Sequence, residues 1–183
     1  LDDLNKKSLR CYFYNKLFYS AEFITGCSQY LLKEFQEIFP QKDSGKCFTV
    51  HNGVGELYLT HNVTENKINH IFTAARFVPK KGFELLIESF QKKTDNALLI
   101  AGGNKKELDE LGFEIKNGIS LLGKLSPAEM ATQLAESKIT VIPSITEPYG
   151  IILAEAICCG SPIVATNVGG IPEVIALATE KLS

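Results

Sequence analysis

The residues best suited to chemistry in this sequence are two carboxylates in the stretch TEPYGIILAEAICCG. Glu147 stands at its opening, and Glu155 stands in its middle among aliphatic residues. A carboxylate in an apolar setting without a partner costs on the order of several kcal/mol, or its pKa shifts strongly. Either protein groups satisfy these acids, or the acids are there to bind a ligand.

The residues between the two acids predict the start of a helix. Pro148 stops any upstream helix, and Gly150 lets a ligand approach the backbone closely. A helix that starts at Tyr149 turns the amides of Gly150 to Ile152 toward a cleft, with Glu155 about one turn inside. Carboxylates are strong acceptors for the hydroxyl groups of a sugar or ribose. The structural alternative is a helix-start acid favoured by the dipole and an internal glutamate paired with a lysine.

A second candidate site is the segment ARFVPKKGFELL, in which Arg76 and Lys81 flank a stiff turn. Two cations beside a helix N-terminus make a good anion site, because the unpaired N–H groups and the dipole add to their charge. A pyrophosphate would suit this site. The alternative is a pair of solvated surface cations, which the motif taken alone favours.

Composition excludes several classes of protein. The net charge of −2 over 183 residues gives no basic field for nucleic acid, and no apolar run approaches the roughly 20 residues needed to cross a bilayer. The cysteines have no C-x-x-C spacing, so neither a zinc site nor a disulfide framework is expected, and a reducing cytoplasm fits best. For Cys158 and Cys159, buried packing at a helix end is favoured over a reactive pair.

Short β-rich runs alternate with longer helical patterns, which predicts an α/β fold: a Rossmann-like parallel sheet with helices on both faces. We expect residues 1–55 to be the tail of a preceding Rossmann-like domain with its hinge. Residues 56–183 then form a second such domain, truncated at its C-terminus. Residues 56–67 suit a linker or surface loop. The glycines of AGGN and NVGGIPE are either phosphate contacts or plain turns, and the pattern leaves both open.

Four segments occur in an order that resembles the donor half of the retaining glycosyltransferases of family 4, which have the GT-B fold. They are ARFVPKKGFELLIESF, LLIAGG, ISLLGKLSPAEM and PSITEPYGIILAEAICCGSPIVATNVGGIPEVI. The resemblance covers about residues 20 to 177. Its most specific element is the Glu-x7-Glu pair, Glu147 and Glu155, preceded by the Arg-x4-Lys-Gly motif.

The resemblance implies a role for each matched position in binding a nucleotide sugar. Arg76 and Lys81 would bind the donor diphosphate, Glu147 would lie against the donor sugar, and Glu155 would hold the ribose hydroxyls. The predicted catalytic residues are Glu147, Arg76 and Lys81, and no metal or other cofactor is expected because the two cations offset the leaving-group charge. The other implied donor contacts are Gly123, Lys124, Leu125, Tyr149, Gly150, Ile151 and Ile152.

The sequence therefore predicts the donor-binding part of a hexosyltransferase that retains the anomeric configuration, with UDP-hexose as the first choice of donor and GDP-mannose as the second. The acceptor would be a carbohydrate or a lipid-linked molecule, bound by the N-terminal domain that this chain lacks. A role in carbohydrate or cell-envelope polysaccharide synthesis follows, in the cytoplasm or at the inner membrane surface, with peripheral membrane contact as a minor alternative. The chain alone is expected to be inactive in transfer.

Two other functions stay open at this point. The first is a binding module that recognises a nucleotide sugar without transferring it. The second is a GT-B sugar-nucleotide epimerase, which would need further acid/base residues in the cleft, and no histidine is suitably placed in the sequence.

Overall fold

The computed structural model describes residues 9–40, 42–60, 67–90, 96–110, 112, 115 and 118–180. The chain divides into two compact units, residues 1–52 and residues 53–183. No helix among the described residues is long and apolar enough to cross a membrane.

The first unit pairs two short parallel strands with two helices. Its elements are α1 (Leu9–Ser20), β1 (Ile24–Gly26), α2 (Gln29–Ile38) and β2 (Cys47–Thr49). Ser28 caps α2, as its position before the apolar stripe predicts, and its side chain accepts a hydrogen bond from the Leu31 amide. Three aromatic rings, Phe18, Phe35 and Phe39, contact one another at centroid distances of 4.9–5.1 Å and form the core of this unit.

The second unit is a five-stranded parallel sheet with helices between its strands. Its elements are α3 (Glu56–Thr60), β3 (Ile68–Ala74), α4 (Phe83–Phe90), β4 (Ala97–Ala101), α5 (Lys105–Asp109), β5 (Ile119–Gly123), α6 (Pro127–Glu136), β6 (Ser137–Ile142), α7 (Ile151–Cys158), β7 (Ile163–Ala165) and α8 (Ile171–Glu180). The predicted Rossmann-like α/β fold is confirmed.

Apolar side chains cover both faces of this sheet, because successive residues of a strand point to opposite sides. In β4, Leu98 and Ile100 pack with α4 and α5, whereas Ala101 belongs to the cluster formed with α6 and α7. Phe72 of β3 is fully buried in that second cluster. Strands buried on both faces explain why their sequences are apolar along almost their whole length.

The order of the strands places a ligand crevice within the second unit. The strand order of the sheet is β5-β4-β3-β6-β7. The chain therefore adds β4 and β5 on one side of β3 and then β6 and β7 on the other side. In open parallel sheets, ligands bind beside the carboxyl ends of the strands at such a reversal. The loops that follow β3 and β6 are therefore the two that border the crevice.

One prediction about local structure is wrong. Residues 56–67 were expected to form a loop, but Glu56–Thr60 is the helix α3, and residues 61–66 lie outside the described part of the chain. The helix forms because Tyr58 is 8% exposed and packs into the cluster with α6 and α7, a tertiary contact that local polarity does not reveal.

Candidate functional site

The loops after β3 and β6 form one hydrogen-bonded unit. The carbonyl oxygen of Lys80 accepts hydrogen bonds from the amides of Ile145 and Thr146, at 2.9 and 3.3 Å. Gly82 has a φ of 68°, and a Cβ there would overlap the carbonyl oxygen of Pro143. The sequence Lys-Gly thus lets the turn before α4 pack directly against the end of β6.

This packing brings a cation of one loop to a carboxylate of the other. Lys81 Nζ lies 2.5 Å from Glu147 Oε2, and the side chains are 16% and 10% exposed. The hydroxyl of Ser144, which is itself buried, donates to the same carboxylate oxygen at 3.2 Å. Protein groups therefore satisfy Glu147, by a charge-assisted bond and a neutral one.

A third loop supports the backbone of Glu147. The amide of Gly170 donates to the Glu147 carbonyl at 2.8 Å, and a Cβ on Gly169 would overlap the same carbonyl. The hydroxyl of Thr166 donates to the Ser144 carbonyl at 2.6 Å. Of the two interpretations of NVGG, the close-packed turn is the one that these contacts support, because its glycines contact the loop of Glu147.

These loops enclose a pocket of about 170 Å³. Its lining comes from the ends of β3 and β6, the two loops and the start of α7: Thr73, Ala74, Ala75, Arg76, Lys81, Ile142, Pro143, Ser144, Glu147, Ile151 and Ile152. Pockets that enclose a drug-sized ligand measure about 300–1,000 Å³, so this one accommodates only part of such a molecule.

Helix α7 begins at this pocket, because its first two residues, Ile151 and Ile152, belong to the lining. Gly150 precedes the helix with a φ of 92°, and the first backbone bond runs from the Leu153 amide to the Gly150 carbonyl. The amides of Ile151 and Ile152 come before that bond and have no acceptor within the helix. Arg76, Lys81 and the helix N-terminus favour an anion in this pocket, whereas the carboxylate of Glu147, which is paired with Lys81, opposes one.

Comparison with known proteins identifies the family. A family model described as "Glycosyl transferases group 1" matches residues 60–182, about two thirds of the chain. The chain belongs to the group 1 glycosyl transferases. This confirms the resemblance drawn from the four segments.

Individual relatives agree with the family. An uncharacterized glycosyltransferase of Methanocaldococcus jannaschii is 29% identical over 90% of this chain and 45% of its own length. The GDP-mannose-dependent monoacylated alpha-(1-6)-phosphatidylinositol monomannoside mannosyltransferase of Corynebacterium glutamicum is 28% identical over 96% of this chain and 51% of its own length. The chain spans about half the length of the curated relatives it matches.

Solved structures agree on the fold. The sucrose-phosphate synthase of Thermosynechococcus elongatus superposes with a TM-score of 0.72, at 17% identity, over 100% of this chain and 54% of its own. The fold is that of the GT-B glycosyltransferases, as the sequence predicts.

In this glycosyl transferase chain, five of the eleven predicted site residues line the pocket. They are Arg76, Lys81, Glu147, Ile151 and Ile152. Tyr149 and Gly150 are buried, precede α7 in the chain and lie outside the lining. Gly123, Lys124 and Leu125 lie outside the lining, at the end of β5, two strands from β3. Lys124 is exposed, and Leu125 packs against the core.

Glu155 also lies outside the lining, one turn after Ile151 and Ile152 on the same helix. Burial raises the pKa of Glu155, and a polar interaction with Tyr58 of α3 opposes that rise. Among the described residues Glu155 forms no salt bridge, so the lysine partner that the structural alternative required is not found there.

One residue of the site went unnoticed in the sequence. Ser144 lies two residues after the end of β6, so the rule that ligands gather at strand ends could have found it.

Cys159 is part of the hydrophobic core, and Cys158 packs against it. Cys159 is fully buried in the core, where burial raises its pKa to about 11, so its thiolate is disfavoured at neutral pH. Among the described residues, no group of three or more histidine, cysteine, aspartate or glutamate side chains could hold a metal ion.

Proposed function

We propose that this chain is the donor-binding part of a glycosyltransferase that moves a hexose from a nucleoside diphosphate sugar to an acceptor with retention. The observation that carries the proposal is the convergence of Arg76, Lys81 and Glu147 on one pocket at the point where the strand order reverses. Membership of the group 1 family and the name of the mannosyltransferase relative support the reaction class.

The pocket's charges suit the leaving group of this reaction. In the proposed step the bond from the anomeric carbon to the phosphate oxygen breaks, and its electron pair goes to the phosphate. Arg76, Lys81 and the first amides of α7 would stabilise the negative charge that develops there, which lowers the barrier because these groups are already in place. No metal ion is required in this scheme.

Glu147 would contact the donor sugar that is attached to that phosphate. Its carboxylate is held at the pocket wall by Lys81 and Ser144, with lone pairs left to accept sugar hydroxyls. The acceptor hydroxyl would attack on the face from which the phosphate leaves, and its proton would pass to the departing phosphate. Retention then follows from attack on that face.

The rest of the predicted organisation belongs to the same proposal. Residues 1–55 would be the end of an acceptor-side domain, the acceptor would be a carbohydrate or lipid-linked molecule, and Gly123 to Leu125 would lie along the base. The cytoplasmic location also stays a prediction.

Calorimetric titration of the chain tests donor binding. UDP-glucose, UDP-galactose, UDP-N-acetylglucosamine, GDP-mannose and ADP-glucose form the panel, with UDP, GDP and ADP alone as references. Saturable 1:1 binding of one sugar nucleotide class, lost when the diphosphate is replaced by a monophosphate, is the expected result. Absence of binding across the whole panel would contradict the proposal.

A product assay on the complete protein separates transfer from binding alone. The proton coupling at the anomeric carbon of the product shows whether its configuration matches that of the donor. A protein that binds donor but forms no glycoside with any carbohydrate or lipid-linked acceptor would instead fit the non-catalytic binding module.

A further inference from the structure

Ser144 places a buried hydroxyl in the pocket, beside the carboxylate of Glu147. The residue is 3% exposed and belongs to the pocket lining. Its hydroxyl donates to Glu147 Oε2 at 3.2 Å, and Lys81 Nζ lies 2.5 Å from the same oxygen. Among the described residues both bonds to this carboxylate end on Oε2, so Oε1 is the oxygen available to a hydroxyl group of a ligand.

The spacing of these two residues has a different use elsewhere in the chain. Ser-x-x-Glu at a helix start forms a capping box. At the start of α6, the Glu129 carboxylate accepts hydrogen bonds from the amide and the hydroxyl of Ser126, at 2.7 and 2.6 Å. No helix starts at Ser144, because α7 begins only at Ile151. The bond from Ser144 to Glu147 therefore does not cap a helix, and its effect is on the carboxylate in the pocket.

The backbone around Ser144 is held on both sides. Thr166 follows β7, and its hydroxyl donates to the Ser144 carbonyl at 2.6 Å, while its amide donates to the Ile142 carbonyl at 3.1 Å. On the other side, the Ile145 amide donates to the Lys80 carbonyl at 2.9 Å. A hydroxyl on a backbone that is anchored in this way can hold its acceptor in one orientation.

A bound nucleotide sugar would affect the two partners of Glu147 differently. Under the proposed function the phosphate binds Lys81, so it competes with Glu147 for the N–H groups of the ammonium. The Ser144 hydroxyl is neutral and has a single proton, which attracts a phosphate less than a cation does. The bond from Ser144 is therefore the one that can persist when the phosphate is bound.

We propose that Ser144 is a positioning residue: its hydroxyl holds Glu147 Oε2 while the phosphate of the nucleotide sugar occupies Lys81, so that Oε1 accepts a hydroxyl group of the sugar. The inference rests on the proposed function, because it takes Lys81 to bind the phosphate and Glu147 to contact the sugar. It assigns to Ser144 an effect on the sugar and none on the diphosphate, and binding experiments can separate the two.

The test measures dissociation constants by calorimetry for the original chain, Ser144→Ala, Glu147→Gln and the double variant. The ligand pairs are UDP with UDP-glucose, UDP-galactose or UDP-N-acetylglucosamine, GDP with GDP-mannose, and ADP with ADP-glucose. Ser144→Ala should weaken the binding of the sugar nucleotide about threefold to tenfold, the size expected for one hydrogen bond, and leave the affinity for the nucleoside diphosphate unchanged. The double variant should bind the sugar nucleotide as Glu147→Gln does, because Ser144 acts through Glu147.

The selective loss is a readout that a purely structural role would not produce, because a general loosening of the pocket would weaken both ligands of a pair. Lys81 still bonds Glu147 in Ser144→Ala, so the carboxylate keeps a partner and the chain should fold. Thermal unfolding of each variant establishes this before affinities are compared.

Ser126→Ala is the matched control. It removes a bond from a serine hydroxyl to a glutamate Oε2 at the same spacing, outside the pocket lining. Its ratio of the two dissociation constants should equal that of the original chain, since any change in the binding of the nucleotide itself affects both ligands of a pair.

Three results would overturn the inference while leaving nucleotide-sugar binding intact. They are an unchanged ratio of the two dissociation constants in Ser144→Ala, an equal loss for both ligands, and losses that add in the double variant. If the original chain binds no sugar nucleotide and no nucleoside diphosphate of the series, the proposed function fails, and this inference fails with it.

Discussion

Lys81 Nζ lies 2.5 Å from Glu147 Oε2, so the cation predicted for the diphosphate and the carboxylate predicted for the sugar form an ion pair with each other. Each belongs to a different loop, and the loops are joined through the Lys80 carbonyl. The pair keeps a largely buried carboxylate satisfied. A donor phosphate that binds Lys81 must therefore compete with Glu147 for the N–H groups of the Lys81 ammonium.

We expect Lys81→Ala to weaken the binding of the nucleoside diphosphate by about 1–3 kcal/mol, roughly 5-fold to 150-fold, because a charge-assisted hydrogen bond to phosphate is lost. Calorimetric titration with UDP and GDP measures the change. Lys80→Ala is the matched control, since Lys80 is the exposed neighbour with the same charge and contributes its carbonyl rather than its side chain to the loop junction. Equal affinity in the Lys81 variant and the original chain would remove Lys81 from the donor site.

Glu147→Gln should not weaken the binding of the nucleoside diphosphate, but it should strongly reduce transfer. Loss of the carboxylate charge frees Lys81 for the phosphate, so diphosphate affinity should be unchanged or higher. Transfer by the complete protein should fall about 100-fold or more, the usual cost of removing a preorganised electrostatic group.

Glu84→Gln removes the same charge from the exposed first turn of α4 and serves as the control for Glu147→Gln. It should change neither quantity. Full transfer activity in Glu147→Gln would show that this carboxylate is not part of the reaction.

Much of this arrangement could be predicted from the sequence, because the signals are local. The apolar runs predict strands buried on both faces, and Ser126 with Glu129 forms the capping box that its spacing indicates. Once the sheet is parallel, the loops of Arg76 and Glu147 must lie at the same edge.

The contacts between loops could not be predicted, because they depend on the strand order. Gly82 contacts Pro143, and Gly169 contacts Glu147, only because β6 lies beside β3 in the sheet. No periodicity in the sequence predicts that strand order. Tyr58 is a further example, since its burial in the core depends on the packing of a helix whose own sequence resembles a loop.

Gly82→Ala tests the junction of the two loops. The substitution combines a positive φ with an overlap against the Pro143 carbonyl, so it should lower the free energy of unfolding by about 1–3 kcal/mol and weaken diphosphate binding by displacing Lys81. Gly112→Ala is the control, because Gly112 has a φ of 81° but open space around its Cβ position. Chemical denaturation should show the smaller loss for Gly112→Ala, about 1 kcal/mol, with diphosphate affinity unchanged. Similar losses of unfolding free energy in both variants would mean that the overlap with the Pro143 carbonyl does not contribute to the destabilisation.

Glu155→Gln tests the electrostatic cost of the half-buried carboxylate. Burial raises the pKa of Glu155 in the folded state above its ordinary value, so the folded chain binds more protons than the unfolded chain between those two pKa values. The ionised group then makes stability fall as pH rises through the folded pKa, whereas glutamine does not titrate. The free energy of unfolding of Glu155→Gln should therefore increase relative to that of the original chain as pH rises from about 4 to 8. The difference between the two should be smallest at the acidic end. Urea denaturation at several pH values measures the difference, with Glu84→Gln as the exposed control, and a difference that does not change with pH would contradict the assignment of a raised pKa to Glu155.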